Sequence, residues 1–290
     1  MIRNIPNSYS YKKNYLDKNA GNIEVLIFGD SHAYNGVNPE MISKNAFNAA
    51  FGSQSLDYDI KIFNKYKNDL EKLKIIVFCI SYHSLITDLK FRGEDWRIKN
   101  YLIYFGLKGE NDELRYKYEI FTNRQHINII NLFNYYIKGK DNIISTKLGW
   151  APLTDQIQEE AKTLQEGKER AVFHTFDIYS NECRKIYAEH KKNLVELFEY
   201  CTNNGIEVIL LELPAYQSYY NNLASGQLSQ LEDTLNDFTS RFTNVHYINW
   251  LKDTDFLDDD FANIDHLNVK GANKLSVKLD MFIRSLDVFN

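Results

Sequence analysis

The sequence predicts a doubly wound α/β fold with a mainly parallel sheet of about five strands, and three features of the chain lead to it. Short, unbroken apolar runs recur at residues 24–28, 74–80 and 206–211. Segments with apolar residues at helical spacing separate them, and the runs end in glycine, serine or proline turns. Unbroken runs of this kind mark strands buried on both faces, and their alternation with amphipathic helices builds βαβ units.

In chain order, a polar N-terminal stretch precedes residues 24–28, which read as a first strand running into Gly29-Asp30-Ser31-His32. Residues 46–48 read as a short second strand. Residues 55–72 carry Leu56, Ile60, Phe63, Tyr66 and Leu70 at helical spacing and lead into the strand at 74–80, which makes a βαβ crossover. A helix over about 182–203 stops at Asn204-Gly205, a C-terminal capping signal, and precedes the strand at 206–211. A helix over about 228–242, a strand at 245–249 and a closing amphipathic helix over 271–286 complete a flavodoxin-like alternation.

The alternation lapses between about 85 and 175, where a polar, aromatic-rich segment contains Trp96, Tyr101, Tyr104, Phe105, Tyr135, Tyr136 and Trp150. It reads as a helical insertion in a single domain spanning 1–290. Its position after the third strand puts it at the carboxyl edge of the sheet, where it forms either a wall of a ligand cleft or a packing embellishment.

Composition narrows the function classes. Hydrophobic residues make up 44% and charged residues 25%, ordinary for a globular protein. The net charge of -5 and the lack of a Lys/Arg block argue against nucleic acid as a partner. The 20 Tyr and 18 Phe residues fit either a large core or a carbohydrate cleft. Cys79, Cys183 and Cys201 are odd in number, lack metal-ligand spacing and read as reduced structural residues. The seven histidines show no metal-binding pattern, so neither metal nor other cofactor is expected, and His126, His174 and His190 are assigned to the surface or to packing. No apolar stretch reaches the roughly 18 residues of a membrane span, and no signal-peptide core is visible. If Met1 is the native start the chain is expected in the cytoplasm; if an N-terminal anchor has been removed, it is expected outside the cytoplasm and tethered to a membrane.

Two segments carry the chemistry. Ser31 directly follows the first strand, where Gly29 permits a sharp turn and the next backbone N–H groups can face an anion. Near the other end, Asn263-Ile264-Asp265-His266-Leu267-Asn268 follows the last strand. Both loops open at the carboxyl edge of a doubly wound sheet, so His266 can act as general base toward Ser31, oriented by Asp265 or Asn263.

Gly-Asp-Ser-His near the start and Asp-His-Leu-Asn with a following Gly-Ala near the end resemble the first and last blocks of the SGNH/GDSL hydrolase superfamily. The resemblance implies an SGNH-type fold and an oxyanion hole formed by the Ser31 N–H, a glycine after the second strand and an asparagine after the third. Gly52 fits the glycine. His83, in Ser81-Tyr82-His83-Ser84, stands at the asparagine position, and Asn263 stands where the superfamily places its acid.

Asn38-Pro39, Asn48-Ala49-Ala50 with Ser53-Gln54-Ser55, and Trp96-Arg97 further resemble SGNH-like proteins associated with bacterial surface polysaccharides, among them O-acetyltransferases. That resemblance implies an O-acetyltransferase or acetylesterase acting on a surface polysaccharide or its precursor, with a membrane-bound acyl donor as partner. Asp30, His32, Trp96 and Trp150 are the substrate-binding candidates. The rival reading is a non-catalytic SGNH-like carbohydrate-binding or assembly protein.

Overall fold

Five strands form where the apolar runs predict them: β1 Val25–Gly29, β2 Ala46–Asn48, β3 Ile75–Cys79, β4 Glu207–Glu212 and β5 Val245–Asn249. They pair in the order β2-β1-β3-β4-β5, every pair parallel, so the sheet is wholly rather than mainly parallel. The computed structural model describes residues 4–107, 125–154 and 164–289.

Eight helices matter to the argument: α1 Ser8–Asn19, α2 Ser31–Gly36, α3 Leu56–Tyr66, α4 Gln125–Lys138, α5 Leu164–Phe173, α6 Asn181–Asn204, α7 Ser225–Arg241 and α8 Val269–Ser285. The chain runs outward from β1 to β2 and then returns across β1 to β3. This reversal puts the loops after β1 and β3 side by side at the carboxyl edge, the usual place for a ligand site in an open α/β sheet.

Because side chains alternate along a strand, each strand feeds two cores. Leu26, Phe28, Ile76, Phe78, Val208 and Leu210 pack with α1, α3, α6 and α7 on one face. Val25, Ile27, Ile75, Val77, Ile209 and Leu211 pack with α2, α5 and α8 on the other. Leu275, Leu279 and Ile283 of α8 are each fully buried, and each such side chain contributes about 1.5–3 kcal/mol. The three cysteines are free and buried. The predicted stop of α6 is present: Gly205 takes a left-handed φ of 64° and its N–H caps the carbonyls of Cys201 and Thr202.

Two regions depart from the sequence reading. The polar N-terminal stretch is the helix α1, capped by the Asn7 side chain on the N–H groups of Tyr9 and Ser10. Its buried face includes Lys12, which is fully enclosed, donates to the Ala50 carbonyl and lies 4.3 Å from the Tyr34 ring centre. The segment expected to be a helical insertion is helical only in pieces among its described residues. Tyr101 and Phe105 turn into the core, at 0% and 2% exposure, so this part packs rather than forming a lid. Residues 108–124 and 155–163 of that segment lie outside the described set. Among the described residues no helix is long and apolar enough to cross a membrane.

Asp59 of α3 fixes the end of β1. Its Oδ1 accepts the Gly29 N–H at 3.1 Å and also bonds the Gln54 amide. Burial pushes its carboxyl well above the usual range, partly offset by those two donors. The unfolded chain releases this proton near pH 4, whereas the folded chain holds it to higher pH. The folded state therefore binds more protons across that window, and stability falls as pH rises through it. Asp59→Asn keeps the acceptor and removes the titration, so it is expected to gain about 1–3 kcal/mol at pH 8. Thermal unfolding of both proteins at pH 5 and pH 8 checks this; the gain should be larger at pH 8.

Candidate active site

Ser31 opens the six-residue helix α2, one residue beyond the strand-to-helix turn. Asp30 is the N-cap: its Oδ1 accepts the His32 N–H at 2.9 Å, which fixes how α2 leaves the sheet. His266 lies on the loop between β5 and α8. That loop is closed by the Ala262 N–H on the His266 carbonyl, at 2.9 Å, and by the Asn263 side chain, whose Oδ1 accepts the N–H groups of Asp265 and His266 at 3.1 and 2.9 Å. Asn268, capping α8 through the Gly271 N–H, anchors its far end.

These loops bring residues 235 positions apart into contact: His266 Nε2 lies 2.8 Å from Ser31 Oγ. The other ring nitrogen, Nδ1, is 3.0 Å from Asp265 Oδ1 and 3.1 Å from Asn263 Oδ1, so both proposed orienters converge on it. The Asp265 side chain is 1% exposed. Burial works against its charge, but His266 and His32 outweigh that and hold its carboxyl well below the usual range. A nucleophile, a base and a buried carboxylate in line are the parts needed to activate a serine hydroxyl.

His32 packs against this line. Its ring stacks on His266 with centres 4.6 Å apart and planes 12° apart. Its Nδ1 is 2.9 Å from both Asp30 Oδ1 and Ser81 Oγ, and its Nε2 is 3.6 Å from Asp265 Oδ2. Arg170 Nε lies 3.6 Å from the same Asp265 oxygen. His174 reaches Tyr219 at 2.8 Å and stacks on His83, and burial pushes its imidazole down to about 3.

Several candidates are placed otherwise than the sequence suggested. His83, read as an oxyanion donor, is 2% exposed with both ring nitrogens buried, and its Nε2 points to Asp30 Oδ2 at 3.7 Å. It faces the Asp30 side of the turn before Ser31, with both ring nitrogens shielded from solvent. Asp30, read as substrate-binding, is 4% exposed and occupied with His32. Trp150 is also buried; its indole N–H donates to the Asn35 carbonyl at 2.6 Å, which makes it a strut beneath α2. His174 packs in the interior, within the range of roles the sequence leaves it, and there it joins the imidazole cluster through its stacking on His83. His190 is a packing residue, bonded to the Leu85 carbonyl at 3.1 Å, and the side chain of His126 lies outside those described.

Gly52 and Trp96 do face open space. With Tyr34, Asn35, Phe51 and Arg97 they line a cavity of about 550 Å³. Asn35 sits one turn beyond Ser31 on α2, so the cavity adjoins the helix that Ser31 opens. A Cβ placed on Gly52 meets nothing within 4 Å. His32, Asp265 and His266 bring donor atoms within 4.8 Å of one another. The Arg170 guanidinium already balances that carboxylate and would oppose a metal cation there.

No protein-family model matches the chain, and no curated protein is significantly similar to it. Among solved structures it is similar to a candidate platelet activating factor from Streptococcus pneumoniae, at 12% identity over 95% of this chain and 91% of that one, with a TM-score of 0.45. It is also similar to a candidate acylhydrolase from Bacteroides fragilis, at 10% identity over 96% and 97%, TM-score 0.44. A GDSL-like lipase from Bacteroides thetaiotaomicron aligns at 9% identity over 96% and 99%, TM-score 0.42.

Proposed function

We propose that the protein is a serine-dependent acyl-ester enzyme of the SGNH type, an O-acetyltransferase or acetylesterase acting on a bacterial surface polysaccharide or its precursor. The observation that carries the chemistry is the 2.8 Å contact between Ser31 Oγ and His266 Nε2, with the far side of the same ring on a buried carboxylate. Ser31 Oγ attacks the ester carbonyl as His266 Nε2 takes its proton, and Asp265 stabilises the resulting imidazolium. The N–H groups of Ser31 and Gly52 are the donors proposed for the tetrahedral oxyanion. The C–O bond of the ester then breaks, the alcohol leaves with the proton from His266, and an acyl-Ser31 remains. Water, or a sugar hydroxyl entering through the same base, takes the acyl group.

The polysaccharide part of the proposal is supported by the resemblance of the sequence motifs and by the cavity beside α2. Its lining combines the Asn35 amide and the Arg97 guanidinium, which suit hydroxyl and carboxylate groups, with the half-buried indole of Trp96, which suits a sugar face; the rings of Tyr34 and Phe51 are buried.

The test is hydrolysis of p-nitrophenyl acetate by the native protein beside Ser31→Ala and His266→Ala, with circular dichroism showing all three folded. Both variants are expected to lose about 10³-fold or more in kcat/KM. Acetyl appearing on an added oligosaccharide, read by mass spectrometry, would identify a transferase; acetate alone would identify an esterase. Equal background rates in all three proteins, with glycan binding retained by Ser31→Ala, would instead favour the non-catalytic carbohydrate-binding reading.

A further inference from the structure

We propose that His32 is a positioning residue of the Ser31 site: an imidazolium that spans Asp30 and Asp265 and holds the nucleophile's turn against the acid that orients the base. The inference rests on the reading of Ser31 and His266 given above and adds a fixed charge to it.

The placement of the ring between two buried carboxylates favours the extra proton. His32 Nδ1 faces Asp30 Oδ1 at 2.9 Å, and Nε2 faces Asp265 Oδ2 at 3.6 Å. A neutral imidazole carries one N–H and would turn a lone pair toward one of these two carboxylates; the imidazolium presents an N–H to both, in a hydrogen bond to Asp30 and at ion-pair distance from Asp265. Burial opposes the charge, and Asp30 and Asp265 outweigh it, so the ring is held protonated well above the usual histidine range. Ser81 Oγ, also 2.9 Å from Nδ1, adds the loop after β3. One side chain thus ties together the loops after β1, β3 and β5.

Arg170 adds a second cation at Asp265, and His32 is the group that faces both carboxylates. His174 meets the His32 ring edge-on at 6.3 Å and His83 lies beyond Asp30; burial lowers both well below the usual histidine range. Arg92 acts on Asp30 and His83 through charge, Tyr219 binds His174, and Arg170 on α5 lies 3.6 Å from the Asp265 Oδ2 that His32 also faces. The face of His266 is stacked on His32 alone among these groups.

A positive charge stacked on the base disfavours a second proton there, and the same charge balances Asp265. Removing it has one sign through both routes: the protonated, inactive form of the base becomes easier to populate, and the acid limb of the pH–rate profile moves to higher pH. His32→Gln is expected to move that limb upward by about one pH unit and to lower kcat/KM about tenfold or more. His32→Arg restores a cation that can reach both carboxylates and is expected to return the limb toward its native position. A merely structural role would lower the amplitude in both variants and leave the limb in place.

The experiment has two arms. The first is the pH profile of kcat/KM for p-nitrophenyl acetate from pH 4 to 9, for the native protein, His32→Gln and His32→Arg. The second needs neither turnover nor a His32 variant: ¹⁵N imidazole spectra of the Ser31→Ala protein over the same range. His32 is expected to show two protonated ring nitrogens through pH 8; a neutral ring at pH 7.5 would overturn the proposal, as would an unmoved acid limb in folded His32→Gln. If hydrolysis proves independent of Ser31, the enzymatic reading fails while the imidazole spectra still decide the state of His32.

Discussion

Asp265→Asn is expected to lower kcat/KM for acyl-ester hydrolysis by about 10³–10⁴, and Asn263→Ala by only about tenfold. Both side chains place an oxygen within hydrogen-bond distance of His266 Nδ1, at 3.0 and 3.1 Å, so distance does not separate them. Occupancy and charge do. Asn263 Oδ1 already accepts two backbone N–H groups and so closes the loop that carries the histidine. Asp265 Oδ1 has His266 as its partner, and its carboxyl stays ionised despite burial because His266 and His32 face it. As charge develops on the imidazole, a buried carboxylate gains far more than an amide already shared between two donors. An asparagine at 265 can also turn its NH₂ toward Nδ1, which leaves the proton on Nε2 and removes the acceptor that Ser31 needs. Kinetics with p-nitrophenyl acetate, beside melting temperatures, separate the two roles: Asn263→Ala should lose stability more than rate, and Asp265→Asn rate more than stability. The reverse order would return the acid's role to the position at which the superfamily places it.

That contest between neighbouring residues marks how far the sequence could be read. Strands and their order were legible because β1, β3 and β4 are buried on both faces and read as unbroken apolar runs, whatever packs against them. The Ser31–His266 pair was legible because loops at the carboxyl edge of such a sheet meet. Helix α1 was not legible: its buried face, Ser8, Lys12 and Leu16, repeats every four residues but holds a single apolar side chain, and its start is fixed by the Asn7 cap. The insertion misled for the opposite reason. An aromatic-rich run signals a ligand cleft and a core equally, and Tyr101, Phe105 and Trp150 went to the interior while Trp96 lines the cavity. His83 and His174 were undecidable from sequence, since a histidine's role depends on which carboxylates tertiary packing brings beside it. Asp30 and Asp265 do that here for His32, whereas burial dominates at the other two and lowers them.

Gly29→Ala is expected to destabilise the protein by about 2–5 kcal/mol and to disable the site that the glycine precedes. Gly29 has a φ of 138°, in the region that L side chains rarely adopt. A Cβ there would lie 2.8 Å from the Cys79 carbonyl oxygen and 2.9 Å from the Ala33 Cβ. Neither neighbour is the loose end of a long side chain. Cys79 is the register partner of Gly29 on β3, and Ala33 belongs to the first turn of α2. Relief therefore requires β1 to part from β3 or α2 to tilt away, and Asp59, bonded to the Gly29 N–H, resists either motion. A tilt of α2 moves Ser31 away from His266, and a displacement of about 1 Å costs on the order of 10²-fold in rate. The melting temperature should fall by about 5–10 °C, and kcat/KM of the fraction that remains folded should fall with it. Gly52→Ala is the control, because its Cβ meets open space and its φ is not among the positive ones, so its melting temperature should stay within about 1 °C of native. Equal melting temperatures for the two variants would mean that the first strand can end without a glycine, and the account of how Ser31 is aimed at His266 would have to be rebuilt from the Asp30 cap alone.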